Sequence, residues 1–155
     1  MSFDTVIPYE SSVGSKFLIS FKDFKRQDFS LPVVDVSIIL FEPTNKGLTL
    51  KDLISITRII KEFLNKNRVI LYYYCDTSSD DIFISKKNSV MKPQEFRHKL
   101  FNSLFCLMKS TDFVKDEIII DDPENNTHYI SLMTRVTDKT SLTEVSIEVQ
   151  KMNDK

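Results

Sequence analysis

The amino-acid sequence predicts an α+β fold in which two main helices pack on a single mixed or antiparallel sheet. The chain begins with segments in which apolar and polar residues alternate, the pattern of half-buried strands. Two later segments repeat apolar residues at every third or fourth position, as amphipathic helices do. The short, continuously apolar run between them is typical of a strand buried on both faces. With 155 residues, the chain has the length of one domain.

Three strands in a meander are predicted at the N-terminus. The first two, Val6–Glu10 and Lys16–Lys22, are joined by a turn over residues 12–15 and form a hairpin. The third strand extends over about residues 33–41. The side chains expected to face the core are Phe17, Ile19 and Phe21 in the second strand, and Val34, Val36, Ile38 and Leu40 in the third.

The first main helix is predicted over about residues 50–65. Thr49 is its expected N-cap, and Asp52 takes the capping-box position three residues later. The second helix is predicted over about residues 93–110, with Pro93 in the first turn, where proline is tolerated. The apolar stripes are Leu53, Ile56, Ile60, Phe63 and Leu64 in the first helix, and Phe96, Leu100, Leu104 and Leu107, widened by Phe101, Phe105 and Met108, in the second.

The apolar run of residues 69–75 is predicted to be the central strand, with its three tyrosines at 72–74 packed in the core. Two more strands are predicted at Glu117–Asp121 and His128–Val136. Residues 139–152 are compatible with a helix or a strand, and the helix is preferred. The apolar residues that bear on this choice are Leu142, Val145 and Val149 for a helix, and Val145, Ile147 and Val149 for a strand.

The composition argues against several classes of function. A net charge of −1 leaves no basic surface for nucleic acid, and two glycines are too few for a glycine-rich phosphate loop. No apolar run has the length of a membrane span and the N-terminus has no signal-peptide pattern, so we expect a cytoplasmic protein without membrane contact. Cys75 and Cys106 lie in apolar patterns, which predicts buried thiols without a disulfide.

A candidate ligand site lies at the end of the central strand. Ligands of open sheets that contain parallel strands bind beyond the carboxyl ends of those strands. Asp76, Thr77 and Asp80 follow the strand, and Arg97 lies early enough in the next helix to reach back toward them. The same residues also fit a polar turn tied by a structural salt bridge, which is the preferred interpretation. The loop does not match a calcium loop, since its sixth position is Asp81 and not glycine.

The sequence predicts neither a catalytic site nor a metal site. His98 and His128 lie far apart, and neither has a cysteine or a second histidine at metal-binding spacing. Cys75 and His128 could meet in the fold, but nothing in the sequence indicates an activated thiol.

Acidic residues cluster in the second half of the chain. The preferred interpretation is a solvated loop, and the alternative is a docking surface for a basic partner. The residues of this acidic cluster are Asp116, Glu117, Asp121, Asp122 and Glu124.

Two segments resemble a small bacterial domain family of unknown function. Its members carry the pattern Y-I-C-D-T-S-D, followed by R-x-R-L-F-x-x-W-F. Here residues 74–80 read Y-C-D-T-S-S-D and residues 97–105 read R-H-K-L-F-N-S-L-F. The chain lacks the isoleucine before the cysteine and has Leu104 where the family has tryptophan. Because the family has no assigned activity, the resemblance implies kinship and not a function.

The predicted element order is similar to the core of the GNAT acetyltransferase fold. In that fold, the loop before the first of these helices holds the acetyl-CoA pyrophosphate with the pattern Q/R-x-x-G-x-G/A. Residues 42–48 read E-P-T-N-K-G-L, in which Gly47 fits the pattern and the second glycine is absent. The resemblance implies that Gly47 and Thr49 bind the cofactor.

Two classes of function follow from these observations. The first is a non-enzymatic binding or regulatory protein of accessory or immunity type, which acts in the bacterial cytoplasm through a protein partner or self-association and needs no cofactor. The second is a divergent or degenerate GNAT-like acyltransferase that binds acetyl-CoA.

Overall fold

A computed structural model describes residues 3–11, 14–42, 49–75, 93–107, 111–122 and 126–153. Within these ranges the chain forms six strands and three helices, and a short 3-10 turn at Val136–Asp138 precedes the last helix. In chain order they are β1 (Asp4–Glu10), β2 (Lys16–Asp23), β3 (Val33–Glu42), α1 (Leu50–Lys66), β4 (Ile70–Cys75), α2 (Pro93–Leu107), β5 (Phe113–Asp122), β6 (Asn126–Arg135) and α3 (Lys139–Asn153).

The described strands form one open sheet in the order β1-β2-β3-β4-β6-β5. Strands β3 and β4 pair in parallel, because α1 carries the chain back across the sheet between them. The other neighbouring strands pair antiparallel. The predicted α+β class with a mixed sheet is therefore confirmed, and the central position of the 69–75 segment is confirmed with it.

Side chains from the two faces of the sheet build two apolar clusters, since neighbouring residues of a strand point to opposite faces. The first lies under α1 and α2 and contains, among others, Phe17, Ile19, Phe21, Val34, Val36, Ile38, Leu71, Tyr73, Phe101 and Leu104. The second lies under α3 and contains Phe24, Leu31, Val33, Ile70, Ile118, Ile130, Leu132, Leu142, Val145 and Val149. The predicted core faces of β2 and β3 are thus confirmed, except that the side chain of Leu40 lies outside the described residues.

The start of α1 is fixed by the predicted capping box and by a bond from the edge strand β1. Thr49 Oγ1 accepts a hydrogen bond from the Asp52 backbone N–H at 3.2 Å, and the Thr49 N–H donates to Asp52 Oδ2 at 3.0 Å. Tyr9 donates its hydroxyl to Asp52 Oδ1 at 2.8 Å. Burial and this hydrogen bond raise the pKa of the Tyr9 hydroxyl. These donors satisfy a fully buried carboxylate, which would otherwise be costly.

Three predictions about individual positions are corrected. Cys106 is exposed, because α2 turns Phe101 and Leu104 toward the sheet and leaves Cys106 on its outer side. Tyr74 is 37% exposed, so β4 is not buried on both faces along its whole length. Strand β5 begins at Phe113, before the predicted Glu117, since an edge strand tolerates charged residues near its start.

The C-terminal segment is a helix. Leu142, Val145 and Val149 are buried against the second cluster, whereas Ile147 is 50% exposed. This distribution matches the helical spacing and excludes the alternating pattern of a strand. No helix among the described residues is both long and apolar enough to cross a membrane.

We predict that the Tyr9–Asp52 contact couples β1 to α1 energetically. Tyr9→Phe removes only the hydroxyl and should lower the free energy of unfolding by about 1 kcal/mol. Asp52→Ala should lower the free energy of unfolding by about 2–3 kcal/mol, because it also removes the helix cap and leaves the Tyr9 hydroxyl without its acceptor. Urea denaturation measures both, and the double variant should be no less stable than Asp52→Ala alone. Strictly additive losses would contradict the coupling.

Candidate functional site

The parallel pairing between β3 and β4 is short and opens into a cleft. It comprises Val33 with Ile70, Val34 with Leu71, and Asp35 with Tyr72, although β3 continues to Glu42 and β4 to Cys75. Beyond this point lies a cavity of about 220 Å³, which we call the β3–β4 cleft. Its lining residues are Asp35, Val36, Ser37, Ile38, Ile39, Tyr73, Tyr74 and Arg97.

Backbone groups of β3 face this cleft. The Pro32 carbonyl accepts a hydrogen bond from the Ile70 N–H at 2.9 Å, so even-numbered residues of β3 turn their backbone groups toward β4. Because the described pairing ends at Asp35 and Tyr72, the Val36 carbonyl and both backbone groups of Ile38 face the cleft and no paired strand of the described residues. Backbone donors and acceptors need partners, so the cleft is suited to a ligand that offers amide groups.

Asp35 lines the cleft from β3, and its side chain points away from α2, because its neighbours Val34 and Val36 point to the first cluster. It is half-buried, and burial raises the pKa of its carboxyl group. Among the described residues the structure shows no ion pair that offsets this burial. A carboxylate held in such surroundings is typical of a functional site. Sequence reasoning missed Asp35; the available signal was a charged residue between Val34 and Val36.

Arg97 brings a guanidinium to the same cleft from the N-terminal part of α2. The residue is 5% exposed, and arginine is rarely so buried in proteins unless it is paired. The structure places Arg97 in the same cavity lining as Tyr73 and Tyr74 of β4. Its expected neighbours Asp76, Thr77 and Asp80 lie outside the described residues, so their placement remains a prediction.

The three tyrosines of β4 have different environments. Tyr73 is buried and stacks on Phe101 of α2, with ring centroids 4.5 Å apart. Tyr72 packs on Phe24 on the opposite face of the sheet. Tyr74 Oη lies 2.7 Å from His128 Nδ1. Core packing is confirmed for Tyr73, while Tyr74 combines cleft lining with a partner on β6.

The proposed pairing of Cys75 with His128 is neither shown nor excluded by this arrangement. In the β4–β6 register Cys75 lies opposite Tyr129, one residue from His128. The Cys75 side chain lies outside the described residues, and His128 Nδ1 lies within hydrogen-bond distance of Tyr74 Oη.

The N-terminus of α1 carries its own negative group. Thr49 Oγ1 accepts from the Asp52 N–H, and the buried Asp52 carboxylate lies at the helix end where an anion is otherwise attracted. Gly47 lies outside the described residues. The described part of this helix end therefore offers poor support for a pyrophosphate.

A second polar cluster ties α2 to strands β5 and β6. Lys115 of β5 contacts Glu117 at 2.5 Å and also hydrogen-bonds Asn102 of α2. The ring of His98 stacks on Tyr129, with centroids 4.5 Å apart.

Two pKa shifts accompany this cluster. Burial lowers the pKa of His98. Burial alone raises the pKa of Glu117, but the hydrogen bond and charge of Lys115 outweigh it, so the pKa lies below its usual value. We interpret the cluster as a structural anchor of α2. In the described part of the chain no group of three or more His, Cys, Asp or Glu residues is placed to hold a metal ion.

Comparison with known proteins gives no relative. No protein family, no curated protein and no solved structure matches the chain. The two resemblances in the sequence therefore stay predictions, and the function has to be argued from the cleft.

We predict that Asp35→Asn stabilises the protein in a pH-dependent way. Because burial raises its pKa, the charged form of Asp35 costs stability at pH 7, and the cost disappears below the usual value of about 3.9, where both states are protonated. The thermal midpoint of Asp35→Asn should exceed that of the wild type at pH 7, and the difference should vanish toward pH 3. Asp4→Asn, on the exposed face of β1, is the control. Equal midpoints at pH 7 would show that Asp35 bears no such cost.

We predict that the buried guanidinium of Arg97 contributes to the stability of the fold. Arg97→Met keeps most of the side-chain length and removes the charge, so the groups that Arg97 contacts lose their partner and the free energy of unfolding should fall by about 3–5 kcal/mol. Urea denaturation measures this loss, which is the result expected from the structural salt bridge that the sequence analysis prefers. A loss of less than about 1 kcal/mol would contradict that interpretation.

Proposed function

We propose that the protein acts by binding another protein, as an accessory or immunity-type protein of the bacterial cytoplasm, and that the β3–β4 cleft receives an extended segment of that partner. The observation that carries this proposal is the end of parallel pairing at Asp35 and Tyr72, beyond which both strands continue beside a cavity. A segment entering there extends the pairing of β3, because its amide groups bond to Val36 and Ile38.

The size and charge of the cleft favour the carboxyl-terminal end of a chain. About 220 Å³ corresponds to about seven water molecules at ~30 Å³ each, which suits a chain end and not a whole strand. The guanidinium of Arg97 has five N–H donors, so it can form charge-assisted hydrogen bonds with a terminal carboxylate in addition to its contacts within the protein.

A second candidate is a GNAT-like protein that binds acetyl-CoA in the same cleft. The order of elements supports this candidate, because the resemblance rests on that order. From β1 to β6 the chain forms three strands, a helix, a strand, a helix and two strands. The arm of acetyl-CoA is also an extended chain with amide groups, so it suits the same backbone partners. The capped N-terminus of α1, with the Asp52 carboxylate at its end, weighs against this candidate.

We predict that a photo-crosslinking amino acid at Ile39 captures a partner. Ile39 lines the cleft, whereas Gln150 on the exposed side of α3 provides the matched control position. In cells of the source organism, the Ile39 variant should capture a protein through its C-terminal peptide, as identified by mass spectrometry. The Gln150 variant should not, and Arg97→Met should reduce the capture. Equal capture at both positions would contradict a partner site in the cleft.

Thermal unfolding with millimolar acetyl-CoA tests the second candidate. A rise in midpoint that Gly47→Pro abolishes would favour acetyl-CoA over a protein partner. An unchanged midpoint, together with capture through Ile39, is the result that the first candidate predicts.

A further inference from the structure

Strand β5 ends the sheet and has one unpaired side among the described residues. Its other side pairs with β6 over its whole length, from Phe113 opposite Arg135 to Asp122 opposite Asn126. The Val136 N–H donates to the Asp112 carbonyl, so even-numbered residues of this segment turn their backbone groups toward β6. The odd-numbered residues Lys115, Glu117 and Ile119 therefore turn their backbone groups outward, and the outward Glu117 N–H donates to Asp116 Oδ1 at 3.0 Å.

The two edges of the sheet differ in how they are protected. Strand β1, at the opposite edge, contains Pro8, which has no N–H to offer to another strand. Strand β5 has ten residues, no proline and an uninterrupted register with β6. Its three consecutive isoleucines also have high β-propensity, and Ile119 is 55% exposed. An edge of this kind is a ready template for an added strand.

The charge of β5 selects the kind of strand that can be added. The strand carries one lysine against four acidic residues, and because Lys115 pairs with Glu117, three acidic residues are in excess. Pairing with β5 of a second copy would bring the acidic residues of both strands together, and like charges on neighbouring strands destabilise a sheet. A partner segment with Lys or Arg residues has the complementary charge.

We propose that the outer edge of β5 docks an extended, basic segment of a partner protein as an added strand. This site is separate from the β3–β4 cleft, since β4 and β6 lie between β3 and β5 in the sheet. It depends on the backbone N–H groups of Lys115 and Ile119, on the outward carbonyl groups and on the acidic residues of the strand, since the Glu117 N–H is bonded to Asp116.

Hydrogen exchange on the wild-type protein tests the docking directly. The probe is a synthetic ten-residue peptide that alternates isoleucine and lysine, and its control alternates isoleucine and glutamate. The basic peptide should slow exchange at the amides of residues 115 and 119, while those of 116, 118 and 120 are already protected by β6 and that of 117 by Asp116. Slowing by both peptides alike, or by neither, would overturn the proposal.

Two variants separate the backbone contribution from the side-chain contribution. Ile119→Pro removes an outward N–H and should weaken binding of the basic peptide about three- to tenfold, whereas Ile119→Thr keeps that N–H and should change it less. The double variant Asp121→Lys/Asp122→Lys should shift the preference toward the acidic peptide. Sedimentation of the free protein provides the remaining test: a dimer that Ile119→Pro dissociates would assign the edge to a second copy and contradict a basic partner.

Discussion

The short parallel contact between β3 and β4 is the constraint on which the rest of the molecule depends. It joins the N-terminal meander to the β4–β6–β5 half of the sheet through three residue pairs. Because α1 must span the distance between the ends of these two strands, its start is tied down by Thr49, Asp52 and Tyr9. The same contact ends early enough to leave backbone groups of β3 facing a cavity. One feature thus holds the sheet together and creates its candidate site.

The site combines groups that are costly to keep in a folded protein. Asp35 is half-buried without an ion pair among the described residues, and Arg97 is almost completely buried. By contrast, the buried carboxylate of Asp52 is fully engaged in capping and in the bond from Tyr9. Asp52 therefore stabilises the fold, whereas Asp35 does not. Such an uncompensated group is usually retained because it binds something.

Local patterns predicted most of the elements, while the site depended on contacts that no local pattern contains. The periodicity of β2, β3 and α1 and the Thr49 cap depend on residues close in sequence, and the structure confirms them. The point where β3 separates from β4 depends on segments more than thirty residues apart in the sequence. For this reason the sequence pattern did not predict Asp35 as a residue of the site. The prediction that Cys106 is buried was wrong for the same reason, because the rotation of α2 about its axis is set by the packing of Phe101 and Leu104 on the sheet.

The central claim is that backbone groups of β3 are available in the β3–β4 cleft, and the exchange rate of the Ile38 amide tests it most directly. Ser37 and Ile39 turn their N–H groups toward β2, whereas Ile38 turns its own toward the cleft. In the free protein, the Ile38 amide should exchange with solvent faster than those of Ser37 and Ile39, and a partner bound in the cleft should slow it. An Ile38 amide as protected as its two neighbours in the free protein would show that the cleft is closed, and would contradict the account.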